Sequence, residues 1–241
     1  MAANERRDYA TALRLFRSLA DQGDAKAQLV LGGMYGLGRG VPQNYAEAEK
    51  WYRLAAGQGY AAAQSILGGM YGEGHGVPQN YAEAEKWYRL AANQGNADAQ
   101  SNLGVMYALG LGAPQNYAEA LIWYRKAAEQ GNALAQNSLG GMYNTGQGVS
   151  QDYAEALKWY RRSADQGHAT AQSNLGLMYD KGQGVLQDDV RAYMWFNVSA
   201  AQGDQVAAKN LDRLARRMTP AQIAEAQKLA REWKPNKPPR R

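Results

Sequence analysis

Apolar positions along this chain keep a helical rhythm, interrupted by short glycine-rich turns. Between Tyr45 and Ala56, the residues Tyr45, Ala48, Tyr52, Ala55 and Ala56 fall on one helical stripe, with Glu47, Glu49, Lys50 and Arg53 between them. Asn44, like Asp152 in a later unit, stands just before its stripe, where a side-chain oxygen can accept from an unpaired backbone N–H. The stripe runs into Gln58-Gly59, and a glycine there supplies the left-handed backbone that ends a helix. A second apolar face follows, formed by Ala63, Leu67, Met70 and Tyr71, and stops at Gly74-His75-Gly76-Val77-Pro78. Two short amphipathic helices cannot bury their stripes alone. Stacking against copies of themselves solves the problem.

The copies are present. Tyr9, Tyr45, Tyr81, Tyr117 and Tyr153 recur at a step of 36 residues, with Asp189 in sixth place. Trp51, Trp87, Trp123, Trp159 and Trp195 keep that step, as do Gly23, Gly59, Gly95, Gly131, Gly167 and Gly203. Leu31, Leu67, Leu103, Leu139, Leu175 and Leu211 form a further column, and Val41–Ala56 is identical to Val77–Ala92. The pattern predicts an all-α chain of about thirteen helices without strands, in antiparallel pairs that build two layers of a right-handed superhelix. Gly32, Gly68, Gly104, Gly140 and Gly176 follow the leucines inside the second helix. Each costs roughly 1 kcal/mol against alanine, so the column predicts a close approach by an aromatic ring. On that reading Gly104→Leu overpacks, at about 1–3 kcal/mol.

The pattern A-x-A-Q-x-x-L-G-x-M-Y-x-x-G-x-G-V-x-Q-x-Y-A-E-A-x-x-W-Y-R-x-A-A-x-Q-G resembles the Sel-one-like repeat, a longer relative of the tetratricopeptide repeat, over about residues 8–233. In that family's phasing the leucine-glycine helix comes first in each repeat and the tryptophan-tyrosine helix second. The resemblance implies one solenoid over residues 1–233, with 9–23 an N-terminal capping helix and 24–203 five repeats beginning near Asp24, Tyr60, Asn96, Asn132 and His168. Residues 204–233 form C-terminal capping helices and 234–241 a disordered basic tail. The sixth unit departs from the pattern: Asp212 replaces the glycine, Ala215 the tyrosine, and Thr219-Pro220 opens a last helix running to Trp233.

Composition narrows the chemistry. Apolar residues make up 45% of the chain, yet mean hydropathy is −0.60 and no run is long enough to span a membrane. The first residues lack the apolar core of an export signal, so a periplasmic or secreted location requires a leader already removed; the alternative is the cytoplasm. Without cysteine there is no disulfide, thiolate metal site or thiol nucleophile. Four of the cations behind the formal charge of +5 are Lys234, Lys237, Arg240 and Arg241, which leaves +1 for the body and argues against nucleic acid as partner.

Catalytic machinery is thin: neither His75 nor His168 has metal-ligand spacing, no G-x-S-x-G elbow occurs, and the glycine turns follow helices rather than strands. Both histidines read as solvated turn residues, and no cofactor or metal is expected. The column Arg17, Arg53, Arg89, Arg125 and Arg161 reads as a solvated, salt-bridged outer face.

Positions that vary between repeats carry the function. In tetratricopeptide relatives the first helix of each unit lines a concave groove. Carried across by register, the groove here includes Ser65; Asp98, Ser101 and Asn102; Asn137 and Asn144; and Ser173, Asn174 and Asp180. Gly69, Val105, Leu134, Ser138, Thr170 and Leu177 lie beside them. The lining is small and polar, suited to hydrogen-bonding an extended backbone. The resemblance implies a non-enzymatic adaptor that binds a partner peptide or protein in this groove. The alternative it implies is a wall-associated protein that binds peptidoglycan fragments or modulates a wall enzyme. β-Lactam hydrolysis has been proposed for cysteine-rich relatives; the absence of cysteine separates this chain from them, and no nucleophile constellation supports that activity.

Overall fold

Helix starts fall on the caps. Asn44 accepts from the Glu47 N–H at 3.1 Å, Asn80 from Glu83 at 3.1 Å and Asp152 from Glu155 at 3.0 Å, each ahead of a tryptophan-tyrosine helix. The leucine-glycine helices end on glycines in the left-handed region: Gly38 (φ 67°) and Gly74 (φ 75°) return their N–H groups to the Met34 and Met70 carbonyls. The computed structural model describes residues 2–236, and among them it shows thirteen α-helices and no strand.

The helices fall into two compact units, Met1–Asn116 and Tyr117–Arg241. The first holds α1 (Ala2–Asp21), α2 (Ala25–Leu37), α3 (Tyr45–Gly57), α4 (Ala61–Glu73), α5 (Tyr81–Asn93) and α6 (Ala97–Leu109). The second holds α7 (Tyr117–Glu129), α8 (Ala133–Thr145), α9 (Tyr153–Asp165), α10 (Ala169–Lys181), α11 (Asp189–Ala200), α12 (Gln205–Ala215) and α13 (Pro220–Glu232). Within each unit consecutive helices pack against one another as far as α12, and α13 packs on α11.

The leucine column is the core: Leu31, Leu67, Leu103, Leu139 and Leu175 are completely buried. Its sixth member needs correction. Leu214 and Ala207 are the fully buried residues of α12, while Leu211 is only half-buried. The glycine column lies under aromatic rings. A Cβ on Gly68 would stand 2.6 Å from the Tyr88 ring, and one on Gly140 2.7 Å from Tyr160. Gly176 meets the Phe196 ring at 2.7 Å in the same way.

Polar joints inside the units are invisible in the apolar pattern. Gln28, Gln64, Gln100, Gln136 and Gln172 are buried, and each donates to an alanine carbonyl eight residues earlier, at 3.0–3.2 Å. In turn the glutamine that ends a tryptophan-tyrosine helix donates to the buried one thirty residues before it. Gln58 reaches Gln28 at 2.8 Å, and Gln94–Gln64, Gln166–Gln136 and Gln202–Gln172 follow at 2.7 Å. Each joint thus satisfies its own buried amides.

His168 is not a solvated turn residue. It is half-buried, and its Nδ1 accepts from the Ala171 N–H at 3.3 Å as the N-cap of α10, a place held by Asn96 in α6 and Asn132 in α8. Burial lowers its pKa. A depressed histidine stabilises the fold above its unfolded pKa of about 6.5, and that stability is lost as pH falls through the lower folded value. Acidification from neutrality should therefore lower the urea midpoint, and His168→Asn should flatten that part of the profile. Superimposable profiles for the two proteins would contradict the cap assignment.

Of the basic tail, Lys234–Asn236 follow α13, and the Asn236 N–H donates to the Asp165 carbonyl at 2.6 Å. Residues 237–241 lie outside the described residues.

Candidate functional site

The face that register assigns to partner binding is formed by the exposed sides of the leucine-glycine helices. In the first unit Ser65 on α4 and Asn102 on α6 are half-buried, Asp98 is exposed and Ser101 is buried. Val30 and Ile66, in the same register as Asn102, make this unit's face more apolar than its equivalent in the second.

In the second unit, Asn137 and Asn144 on α8 and Asn174 on α10 are half-buried. Asn174 donates its side-chain amide to the Asn137 side-chain oxygen at 3.0 Å, joining neighbouring leucine-glycine helices. Beside this pair a cleft of about 500 Å³ opens between α10 and the start of α12, lined by Thr170, Ser173, Asn174, Leu177, Asp204 and Val206 among others. Asp204 is the N-cap of α12 and also accepts from the Ser199 hydroxyl at 3.0 Å. Burial alone would raise its carboxyl, but bonds from the Ala207 and Val206 N–H groups, Ser199 and Ser173 outweigh that and hold it low. The Ser173 hydroxyl is accordingly committed to the cleft wall.

Asp180 belongs elsewhere. Its side chain is 4% exposed and pairs with Arg213 and with Arg217, the latter at 2.6 Å, while Arg217 also binds Asp189 at 2.6 Å. Register places Asp180 beside Asn144, but the two arginines lie on and just after α12, where the repeat pattern has lapsed. Asp180 fastens the terminal helices instead of lining an open face.

The arginine column is bound into the fold. Arg17 donates to the Tyr35 hydroxyl at 3.1 Å and Arg125 to Tyr143 at 2.7 Å; Arg53, Arg89 and Arg161 reach Tyr71, Tyr107 and Tyr179. Arg53 and Arg89 also bind Glu49 and Glu85 one turn earlier. The constant offset of eighteen residues was present in the sequence, but only the helix packing shows that it is a contact. Among the described residues, no cluster of three or more histidine or acidic side chains is arranged to hold a metal, and no helix is long and apolar enough to cross a membrane.

Helix pairs repeated within each unit, locked by the same glutamines and glycines, define an α/α solenoid of the tetratricopeptide kind. The chain belongs to the Sel1 repeat family, which matches residues 4–24, 25–60, 61–96, 97–132, 133–168 and 169–204. It is similar to a protective antigen of uropathogenic Escherichia coli strains that displays this fold, with 43% identity over 90% of this chain and a TM-score of 0.78. The match covers 48% of that protein, so this chain spans about half its length. A Sel1 repeat protein from Oxalobacter formigenes matches at 36% identity and TM-score 0.82, over 96% of this chain and 94% of its own. A Klebsiella pneumoniae protein at 22% identity and TM-score 0.54, over 83% of this chain and 98% of its own, shares the fold alone. No curated protein matches. Sel1 repeat proteins are in general protein-interaction scaffolds, and their solenoid is typically non-catalytic.

Proposed function

We propose that this chain is a non-enzymatic adaptor that binds an extended segment of a partner protein along the exposed face of its leucine-glycine helices. The observation that carries the reading is the Asn174–Asn137 amide pair beside the α10–α12 cleft. The bond between them leaves the Asn137 amide donor and the Asn174 carbonyl oxygen able to bond a passing main chain, which presents one donor and one acceptor per residue. Leu177 and Val206 give the cleft an apolar wall for a side chain of that segment.

The test begins with a displayed random-peptide library selected on the full chain, followed by calorimetric titration of the recovered peptide. Replacing Asn137 and Asn174 together by Ala should weaken binding by about tenfold or more, at about 0.5–1.5 kcal/mol per hydrogen bond lost. Replacing Arg53, Arg89 and Arg125 by Gln should matter less, since exposed ion pairs contribute about 0–1 kcal/mol. The reverse ranking, with arginine loss abolishing binding at low salt, would assign recognition to the outer column and defeat the proposal.

A further inference from the structure

A second cleft lies among the other set of helices. Arg161 and Asp165 of α9, Arg191, Met194 and Trp195 of α11, and Leu229 and Trp233 at the end of the chain's last helix enclose about 350 Å³. That is within the range of small-ligand pockets. Trp195 and Trp233 meet edge to face, with ring centroids 5.7 Å apart at 69°, and form its aromatic wall with Met194 and Leu229 beside them. The cleft is particular to this end of the unit, because Trp233 and Leu229 come from the segment where the repeat has lapsed.

The charge on its rim is arranged differently from that in α3 and α5. In α3 and α5 the column arginine binds a glutamate one turn earlier, Glu49 or Glu85. In α9 that place is taken by Leu157, which packs into the core. Arg161 keeps the Tyr179 hydroxyl and lies 5.9 Å from the Trp195 ring centroid, so most of its five N–H donors are uncommitted to a carboxylate. Asp165 shares the rim, its pKa raised by burial and drawn back by the Arg161 charge. Arg191 is tied to Asp188 at 3.4 Å and adds a second guanidinium to the rim. A planar fork of donors beside an aromatic wall matches a carboxylate attached to an apolar group.

We infer that this cleft takes the C-terminal residue of a peptide, its free carboxylate on Arg161 and its apolar side chain against Trp195 and Trp233. The site is separate from the asparagine-lined face and does not depend on it.

Two synthetic peptides test this, acetyl-Gly-Ser-Gly-Ser-Phe with a free C-terminus and the same sequence amidated. They are titrated into the isotope-labelled full chain while its tryptophan indole N–H signals are followed, those of Trp195 and Trp233 being assigned by Trp→Phe substitution. The free acid should shift those two signals saturably, and the amide should bind about tenfold or more weaker, the scale of a charge-assisted bond. Arg161→Gln should remove the preference for the acid, Arg161→Lys should retain part of it, and Arg125→Gln should leave it intact. Alanine at Asn137 and Asn174 should change nothing here, which separates failure of this site from failure of the other. Equal binding of acid and amide, an unchanged preference in Arg161→Gln, or absence of saturable shifts would each overturn the inference. Thermal unfolding of both Arg161 variants confirms that the fold is intact.

Discussion

Asp180→Ala is expected to lower stability by about 2–4 kcal/mol, a larger loss than any other substitution proposed for this protein. Its carboxylate is 4% exposed and stands between Arg213 and Arg217, with Arg217 continuing to Asp189. Truncation leaves the two guanidiniums without their shared buried carboxylate. Their outer sides are 49% and 41% exposed, so part of the charge is recovered by water, which keeps the expectation below the full cost of breaking a buried pair, about 3–5 kcal/mol. At roughly 2–4 °C per kcal/mol for a chain of this size, melting should fall by about 5–15 °C. Amide exchange in α12 and α13 should accelerate before exchange in α8 does. A melting shift under about 2 °C would mean that the arginines are equally well served by solvent.

Two glycine-to-alanine changes should have opposite signs. At Gly176 the added methyl would stand 2.7 Å from the Phe196 ring, and Phe196 is fully buried. The overpacking cost of about 1–3 kcal/mol should exceed alanine's advantage of about 1 kcal/mol in a helix. Gly57, the last residue of α3, has an ordinary helical backbone and nothing within 4 Å of where an added methyl would stand. There the same substitution should stabilise by about 0.5–1 kcal/mol. Urea unfolding of both variants decides the matter. A stabilised Gly176→Ala would show that Phe196 moves aside at low cost.

These outcomes rest on features that were unequally visible in the sequence. Helix number, caps and the aromatic-over-glycine column could be read because each depends on residues close together or on a strict register. Asn44 and Asp152 act through neighbours two or three residues away, and the glycine column could only be tolerated under a ring. The glutamine joints were harder to see: Gln58 and Gln28 are thirty residues apart, and nothing local says that they meet. Asp180 misled because its register is that of Asn144, whereas its partners lie in a unit that no longer follows the register. His168 could have been found, since the same column holds Asn96, Asn132 and Asp204, all caps. For the binding face, register located Asn137 and Asn174, but not that they are bonded to each other.

The glutamine joints also set what kinds of change the chain can survive. Each joint supplies both its donor and its acceptor from residues that every unit carries. Removing or inserting one 36-residue unit inside such a run therefore leaves no amide stranded in the interior. A shorter insertion would break the match and strand several at once. Length can thus drift by whole units at small energetic cost, and fractional steps are eliminated as misfolded chains. Positions that take no part in these joints, such as that of Asn174, are then free to diverge in each new copy.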